Sequence, residues 1–77
     1  MQLEIKYFGM LTEVTNCNNE NFEFFGESVA ELLNILFAKY PQLSSKDFKV
    51  AVAQQIVSEN DKITRPEIAL LPPFSGG

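Results

Sequence analysis

The sequence lacks histidine and tryptophan and contains a single cysteine, Cys17. Histidine is the most frequent metal ligand and proton carrier near neutral pH, and a cysteine nucleophile needs a nearby base or positive charge to lower its pKa. With no phosphate-binding glycine loop either, we expect no bound metal or cofactor and no catalysis by this chain alone. We interpret Cys17 as incidental. Because one cysteine cannot form an internal disulfide, it favours a reducing, cytoplasmic compartment.

Basic residues are also few, with six Lys and Arg against ten Asp and Glu and a net charge of −4. The absence of a basic cluster argues against nucleic-acid binding, whereas an acidic surface suits basic protein partners. No long apolar run predicts a membrane span or signal peptide, since the polar residues of Met1-Gln2-Leu3-Glu4 interrupt the start. A chain of 77 residues allows one domain, and 45% hydrophobic residues predict a packed core.

Alternating apolar and polar residues predict the strands. The first covers residues 3–8, with Phe8 an aromatic on its otherwise polar face, and a short helix follows over 10–14. Phe8 is either covered by this helix or exposed to contact a partner. Residues 16–21 have turn composition, and the second strand carries Phe22, Phe24 and Phe25. A third strand over 48–53, a turn at Gln54-Gln55, a short strand at Ile56-Val57, a polar loop over 58–66 and a last strand over 67–71 follow.

The main helix is predicted by a capping box and an apolar stripe. Ser28 and Glu31 have the spacing at which each side chain caps the other residue's free N–H. The stripe follows at helical spacing and consists of Val29, Leu32, Leu33, Leu36, Phe37 and Tyr40. Pro41 prevents the helix from continuing. We expect Ile35, which lies off the stripe, to pack against a loop.

Together these elements predict an α+β fold in which a mixed sheet of about five strands packs on one helix. The first and last strands are expected to lie parallel at its centre, since the middle of the chain is long enough for the crossover. Their outward faces then bring Phe8, Leu71 and Ala53 near one another, and Ile56 extends this apolar patch. Exposed apolar patches of this kind typically contact partners.

The end of the chain, LLPPFSGG over residues 70–77, departs from the globular pattern. Pro72 and Pro73 have no N–H for a sheet ladder, so the strand must leave the sheet after Leu71 and continue as a stiff, extended arm. We therefore divide the chain into a domain over 1–71 and a tail over 72–77. Gly76 and Gly77 have no side chain and can therefore enter a narrow slot. ATP can activate the carboxylate at such a terminus by forming an acyl-adenylate. A frayed terminus is the alternative, but such tails are usually polar and would not present Phe74.

This terminal motif resembles that of the small subunit of molybdopterin synthase, the MoaD-type sulfur carriers. They belong to the ubiquitin-like β-grasp group, with the thiamine-pathway carriers of ThiS type as relatives. The likeness covers residues 3–8, 50–58 and 63–77. The chain departs from the family at Ala53, where Asn is frequent, and at Thr64-Arg65-Pro66, which replaces a common Gly-Asp turn.

The resemblance implies a sulfur carrier that forms a heterotetramer with a large subunit. An E1-like adenylyltransferase would use ATP to adenylate Gly77, and a sulfur donor protein would convert it to a thiocarboxylate. The tail would then enter the large subunit, which supplies the catalytic groups, and pass sulfur to cyclic pyranopterin monophosphate in molybdenum cofactor biosynthesis. The residues expected to contact partners or carry sulfur are Phe8, Ile56, Leu71, Pro72, Pro73, Phe74, Ser75, Gly76 and Gly77.

Three other functions stay open. A thiamine-pathway carrier would use the same Gly77 chemistry, but such chains are usually shorter and lack the Pro-Pro-Phe arm. A ubiquitin-like modifier would join Gly77 to a lysine, although such tails carry arginines before the glycines and none follows Arg65 here. An interaction domain with an inert tail would tolerate deletion of Gly76 and Gly77.

Overall fold

The computed structural model describes residues 1–73. Four of the residues expected to carry function, Phe74, Ser75, Gly76 and Gly77, lie outside this range. The elements in chain order are β1 (Gln2–Tyr7), α1 (Leu11–Thr15), β2 (Asn19–Glu23), α2 (Val29–Lys39), a 3-10 helix (Pro41–Ser45), β3 (Lys49–Val52), β4 (Gln55–Val57) and β5 (Glu67–Leu71).

The five strands form one mixed sheet in the order β2-β1-β5-β3-β4. β1 and β5 are parallel neighbours at its centre, with Tyr7 opposite Leu70. The other three strand pairs are antiparallel. The predicted β-grasp arrangement, with first and last strands parallel in the middle, is confirmed.

One face of the sheet and the apolar stripe of α2 form the core. β1 buries Leu3, Ile5 and Tyr7, because alternate residues of a strand point to the same side. α2 buries Val29, Leu32 and Leu36 completely, while Leu33, Phe37 and Tyr40 pack at the margin of the core. Ile35 is 44% exposed, so the expectation that a loop covers it is wrong.

The start of α2 has its backbone donors satisfied from two sources. The predicted capping box between Ser28 and Glu31 is present. In addition, the N–H groups of Val29 and Ala30 donate to the carbonyls of Asp61 and Glu59, each at 2.9 Å. The polar loop before β5 therefore helps to cap the N-terminus of α2, where the first N–H groups have no acceptor within the helix.

The second strand lies earlier in the chain than predicted. β2 pairs with β1 from Asn19 to Glu23, so half of the predicted turn segment is strand. Phe24 exchanges two backbone hydrogen bonds with Met1, at 2.7 and 2.8 Å, and is buried. Phe24 is the last residue that this ladder pairs, and Phe25 is 89% exposed.

The hairpin after α2 also differs from the prediction. The turn consists of Ala53 and Gln54, with φ of 49° and 70°, and Gln55 opposes Val52 as the first residue of β4. Positive φ at both central residues matches a type I′ turn, whose twist fits antiparallel strands. Asn tolerates this conformation better than Ala, which gives a physical reason for Asn at the position of Ala53 in the resembled family.

Two buried residues outside the predicted elements complete the core. Leu43 lies in the 3-10 helix that begins at Pro41, and Ile63 lies in the loop before β5. The bend at Thr64-Arg65-Pro66 preserves the sheet, since the Pro66 carbonyl accepts the first cross-strand hydrogen bond from Glu4 N–H at 2.9 Å.

Candidate functional site

The site is centred on the end of β5, where the chain leaves the sheet. Leu70 lies beside Tyr7 of β1, and Leu71 pairs with Lys49 of β3. The tail therefore starts from a strand that is paired with β1 up to Leu70 and with β3 up to its last residue, Leu71. Pro72 is half-buried and Pro73 is exposed.

Gly9 lies on the β1 side of the point where the tail leaves the sheet. It follows β1 with φ of 59°, a conformation that favours glycine. A Cβ built on Gly9 would lie 2.9 Å from Cγ of Pro72. The proline ring thus lies directly against the glycine backbone.

The outer face of the sheet, opposite α2, carries a shallow cleft of about 490 Å³. Its floor consists of Ala51, Ala53 and Ala69, whose short side chains leave room above the sheet. Phe8, 44% exposed, lines the end of the cleft toward the tail. Four charged side chains line the remainder, namely Glu4, Lys6, Arg65 and Glu67. Within residues 1–73 none of these four forms an ion pair.

Ile56 extends this apolar surface across the sheet. It opposes Ala51, which in turn opposes Ala69, so the three share one row on the outer face. Ile56 is 58% exposed, whereas Ala51 is only 5% exposed. A bulky partner side chain placed over the alanines would therefore contact larger apolar groups on both sides.

Similarity to known proteins identifies the family to which this chain belongs. Residues 5–77 match the model of the ThiS family. The chain is 35% identical to the molybdopterin synthase sulfur carrier subunit of Chlamydomonas reinhardtii, over the full length of both.

The chain belongs to the ThiS family.

Solved structures confirm the fold of this ThiS-family chain. A putative molybdopterin converting factor, subunit 1, from Pyrococcus furiosus superposes with a TM-score of 0.86 at 18% identity, covering 95% of this chain and 98% of that one. SAMP1, a small archaeal modifier protein from Haloferax volcanii, gives 0.81 at 25% identity over both complete chains. The family expected from the terminal motif is confirmed by the match to the family model and by the full-length relative.

The predicted site residues of this ThiS-family chain fall into two groups. Within residues 1–73, Phe8 and Ala53 line the same cleft, while Leu71 and Pro72 mark the exit of the tail. Sequence reasoning missed Gly9, although a glycine between a predicted strand and helix was a usable signal. It also missed the charged rim of the cleft, for which strand alternation alone already places Glu4 and Lys6 on the side of Phe8.

A polar cluster not predicted from the sequence lies under the opposite face, where β2 meets α2. The Glu20 carboxylate accepts hydrogen bonds from the Tyr7 hydroxyl at 2.9 Å and from the Tyr40 hydroxyl, and it pairs with Lys39 Nζ at 2.5 Å. Cys17 Sγ lies 3.7 Å from the same carboxylate. This cluster joins an edge strand to the main helix and lies on the core side of β1, whereas the cleft lies on the outer side.

Burial and the Glu20 cluster shift the pKa values of its members in opposite directions. Burial, followed by the hydrogen bond to Glu20, raises the pKa of Tyr7 and of Tyr40. Burial alone would raise the pKa of Glu20, but hydrogen bonds from Lys39 and the two tyrosines outweigh it and lower that pKa. Glu20 is therefore ionised and both tyrosines are neutral at physiological pH.

Other kinds of site find no support in the part of the chain that the structure describes. Residues 1–73 contain no group of three or more His, Cys, Asp or Glu side chains suited to a metal ion. No helix within the same range has the length and apolarity to cross a membrane.

Proposed function

We propose that this chain is the sulfur-carrier small subunit of a molybdopterin synthase, with residues 1–71 as the docking domain and residues 72–77 as the sulfur-carrying tail. The observation that carries the proposal is that the LLPPFSGG motif begins in the central strand β5, which is paired with β1 up to Leu70 and with β3 up to Leu71. The full-length similarity to a sulfur carrier subunit supports the same function.

In the proposed reaction the Gly77 carboxylate attacks the α-phosphorus of ATP on an E1-like enzyme and releases pyrophosphate. The outer sulfur of a persulfide on a donor protein then displaces AMP and forms an acyl disulfide. A thiol attacks the donor's sulfur of this disulfide, so that the S–S bond breaks, a new disulfide forms on the donor and the thiocarboxylate leaves. In the large subunit this sulfur passes to cyclic pyranopterin monophosphate, and an oxygen from water restores the carboxylate. This chain contributes binding and orientation, and the catalytic groups belong to its partners.

The outer face of the sheet is the proposed docking surface for the large subunit. Phe8, Leu71 and Ile56 surround the alanine floor, so a partner can bury apolar area next to the exit of the tail. Burying bulky side chains in such pockets dominates the affinity of protein interfaces. The charged rim of the cleft would then select a partner with complementary charges.

The first test measures the terminal group. Protein purified from its native cytoplasm is analysed by intact mass, where exchange of one carboxylate oxygen for sulfur adds about 16 Da, and thiol alkylation distinguishes this from oxidation. A thiocarboxylate at Gly77 supports a sulfur carrier, and sulfur transfer in the presence of the large subunit assigns the pathway. Deletion of Gly76 and Gly77 must abolish transfer. An unmodified terminus with lysine-linked conjugates would instead support a modifier, the type of protein that SAMP1 is named for.

A second test addresses the docking surface with a matched pair of variants. Phe8→Ala removes an exposed aromatic beside the cleft, and Phe25→Ala removes one at the opposite end of β1. We expect Phe8→Ala to weaken binding to the large subunit roughly tenfold or more, as for a central interface aromatic. Phe25→Ala should leave binding unchanged. Equal affinity of both variants would show that the docking surface lies elsewhere.

A further inference from the structure

We propose that Gly9 is a positioning residue that fixes the direction in which the chain leaves the sheet, because it provides a flat seat for the ring of Pro72. Its effect on sulfur transfer rests on the proposed function, whereas the contact itself does not. Gly9 and Pro72 are 63 positions apart, yet both lie at the same end of the parallel β1–β5 pair.

The seat is defined by three close approaches. A Cβ on Gly9 would lie 2.9 Å from Cγ, 3.6 Å from Cβ and 3.8 Å from Cδ of Pro72. Three ring carbons therefore face the glycine backbone. An added Cβ would be too close to Cγ, whereas its distances to the other two carbons are those of ordinary van der Waals contact. A flexible side chain could rotate away from an added methyl group, but the proline ring is closed onto the backbone and can move Cγ only by changing its pucker.

Contacts with other residues hold both Gly9 and Pro72 in place. The Gly9 carbonyl accepts hydrogen bonds from Thr12 N–H at 3.2 Å and from Thr12 Oγ1 at 2.8 Å, which tie the glycine to the first turn of α1. Pro72 follows directly on Leu71, whose pairing with Lys49 holds it in the sheet. An added side chain at position 9 must therefore displace Pro72 rather than the body of the domain, and the exit direction of the tail changes.

Conformation and space at Gly9 can be separated experimentally. If only φ of 59° mattered, Asn would be an acceptable substitute, since Asn tolerates the left-handed region. Asn nevertheless carries a Cβ, which Pro72 leaves no room for. The substitution Gly9→Asn therefore largely preserves the turn while it removes the seat.

The test combines Gly9→Asn with Pro72→Ala in a double-mutant cycle. Each protein is thiocarboxylated, and sulfur transfer to the large subunit and its pterin substrate is followed in single turnovers. We expect Gly9→Asn to slow transfer by roughly tenfold to hundredfold through misplacement of the terminus. Affinity for the large subunit should be retained because the cleft is unchanged. In the Pro72→Ala background, which lacks the ring, the same substitution should change the rate less than about twofold.

A matched control is available at Gly26, where an added Cβ would lie 2.8 Å from Cζ of Phe24, at the opposite end of β1. We expect both Gly26→Ala and Gly9→Asn to lower the melting temperature by several degrees, but Gly26→Ala should transfer sulfur at the wild-type rate. Equal slowing by Gly9→Asn in both Pro72 backgrounds would show strain at position 9 alone and overturn the proposal. A wild-type rate for Gly9→Asn would overturn it as well.

A measurement on the wild-type protein covers the case in which Gly9→Asn does not fold. Nuclear Overhauser contacts between the Gly9 α-protons and the Pro72 ring protons are expected in solution, and their absence would overturn the proposal whatever the variants do. Failure of the proposed function is read separately. It appears when wild-type protein neither acquires a thiocarboxylate nor transfers sulfur, while the ring contact is still present.

Discussion

Glu20 holds together the junction of β2 and α2, and its removal provides the sharpest test of the fold. Its side chain is 13% exposed and accepts hydrogen bonds from Tyr7, Tyr40 and Lys39. Tyr7 is almost completely buried, so its hydroxyl loses its acceptor within the protein when the carboxylate is removed. Lys39, by contrast, is half exposed and can be hydrated.

These environments set the size of the effect. An unsatisfied buried hydroxyl costs about 1–3 kcal/mol, and a hydrogen bond to a charged acceptor contributes about 1.5–3 kcal/mol. The exposed Lys39 pair adds less than about 1 kcal/mol. For Glu20→Ala we expect a total loss of roughly 3 kcal/mol in the free energy of unfolding, because part of the gain was offset by desolvation of the carboxylate. Glu20→Gln keeps one acceptor of the same shape and should lose only about 1 kcal/mol.

Urea unfolding followed by circular dichroism measures both variants. A domain of this size is expected to unfold in one cooperative step, and unchanged slopes would show that only stability has changed. In thermal unfolding, Glu20→Ala should lower the melting temperature by roughly 12–24 °C. If Glu20→Ala were within about 0.5 kcal/mol of the wild type, or if Glu20→Gln were the more harmful variant, the assignment of Glu20 as a central acceptor would be wrong.

Further predictions concern pH, the helix cap and the hairpin turn. The lowered pKa of Glu20 means that its stabilisation of the fold is present above its ordinary pKa of 4.5 and is lost as pH falls through the lower folded-state pKa. Urea unfolding at a series of pH values should show this loss of stability in acid for the wild type but not for Glu20→Gln. The raised pKa values of Tyr7 and Tyr40 predict the opposite limb, with stability lost as pH rises above their ordinary value of 10.0. Ser28→Ala should cost about 1 kcal/mol by removing the cap of α2, whereas Ser28→Asp should retain most of it. Gln54→Gly should stabilise the protein by about 1 kcal/mol, since φ of 70° strains a residue with a side chain, and no gain in melting temperature would argue against the type I′ turn.

Sequence periodicity was sufficient where one face of an element is buried along its whole length. β1 alternates between buried and exposed residues, β5 alternates between buried residues and exposed or half-buried ones, and β5 has the predicted bounds. It failed at the ends of the edge strands, because the partner strand determines where a ladder stops. Phe24 and Phe25 continue the apolar pattern of β2, but only Phe24 still finds a backbone partner, in Met1.

The contacts that define the candidate site could be predicted only in part. Alternation places Phe8 on the outer face, and the family resemblance indicates the tail, but neither shows that Gly9 meets Pro72. The Glu20 cluster likewise combines residues from β1, β2 and α2 that are 13 to 20 positions apart. Such contacts depend on strand order and register, which local patterns do not contain.

The geometry at the point where the tail leaves the sheet also limits where a partner can perform the proposed chemistry. Six residues, 72–77, span at most about 20 Å when fully extended. If the large subunit docks on the cleft, its reacting centre must lie within that distance of Leu71 and on the side toward which Pro72 points.

A free linker of the same length would search a sphere of this radius, whereas a tail that starts from a paired strand and a seated proline begins in one direction. That restriction lowers the entropy lost when the terminus enters a narrow channel, and it raises the effective concentration of the sulfur at the acceptor. The rigid body and the seat at Gly9 would thus contribute to the rate of transfer although neither contacts the reacting atoms.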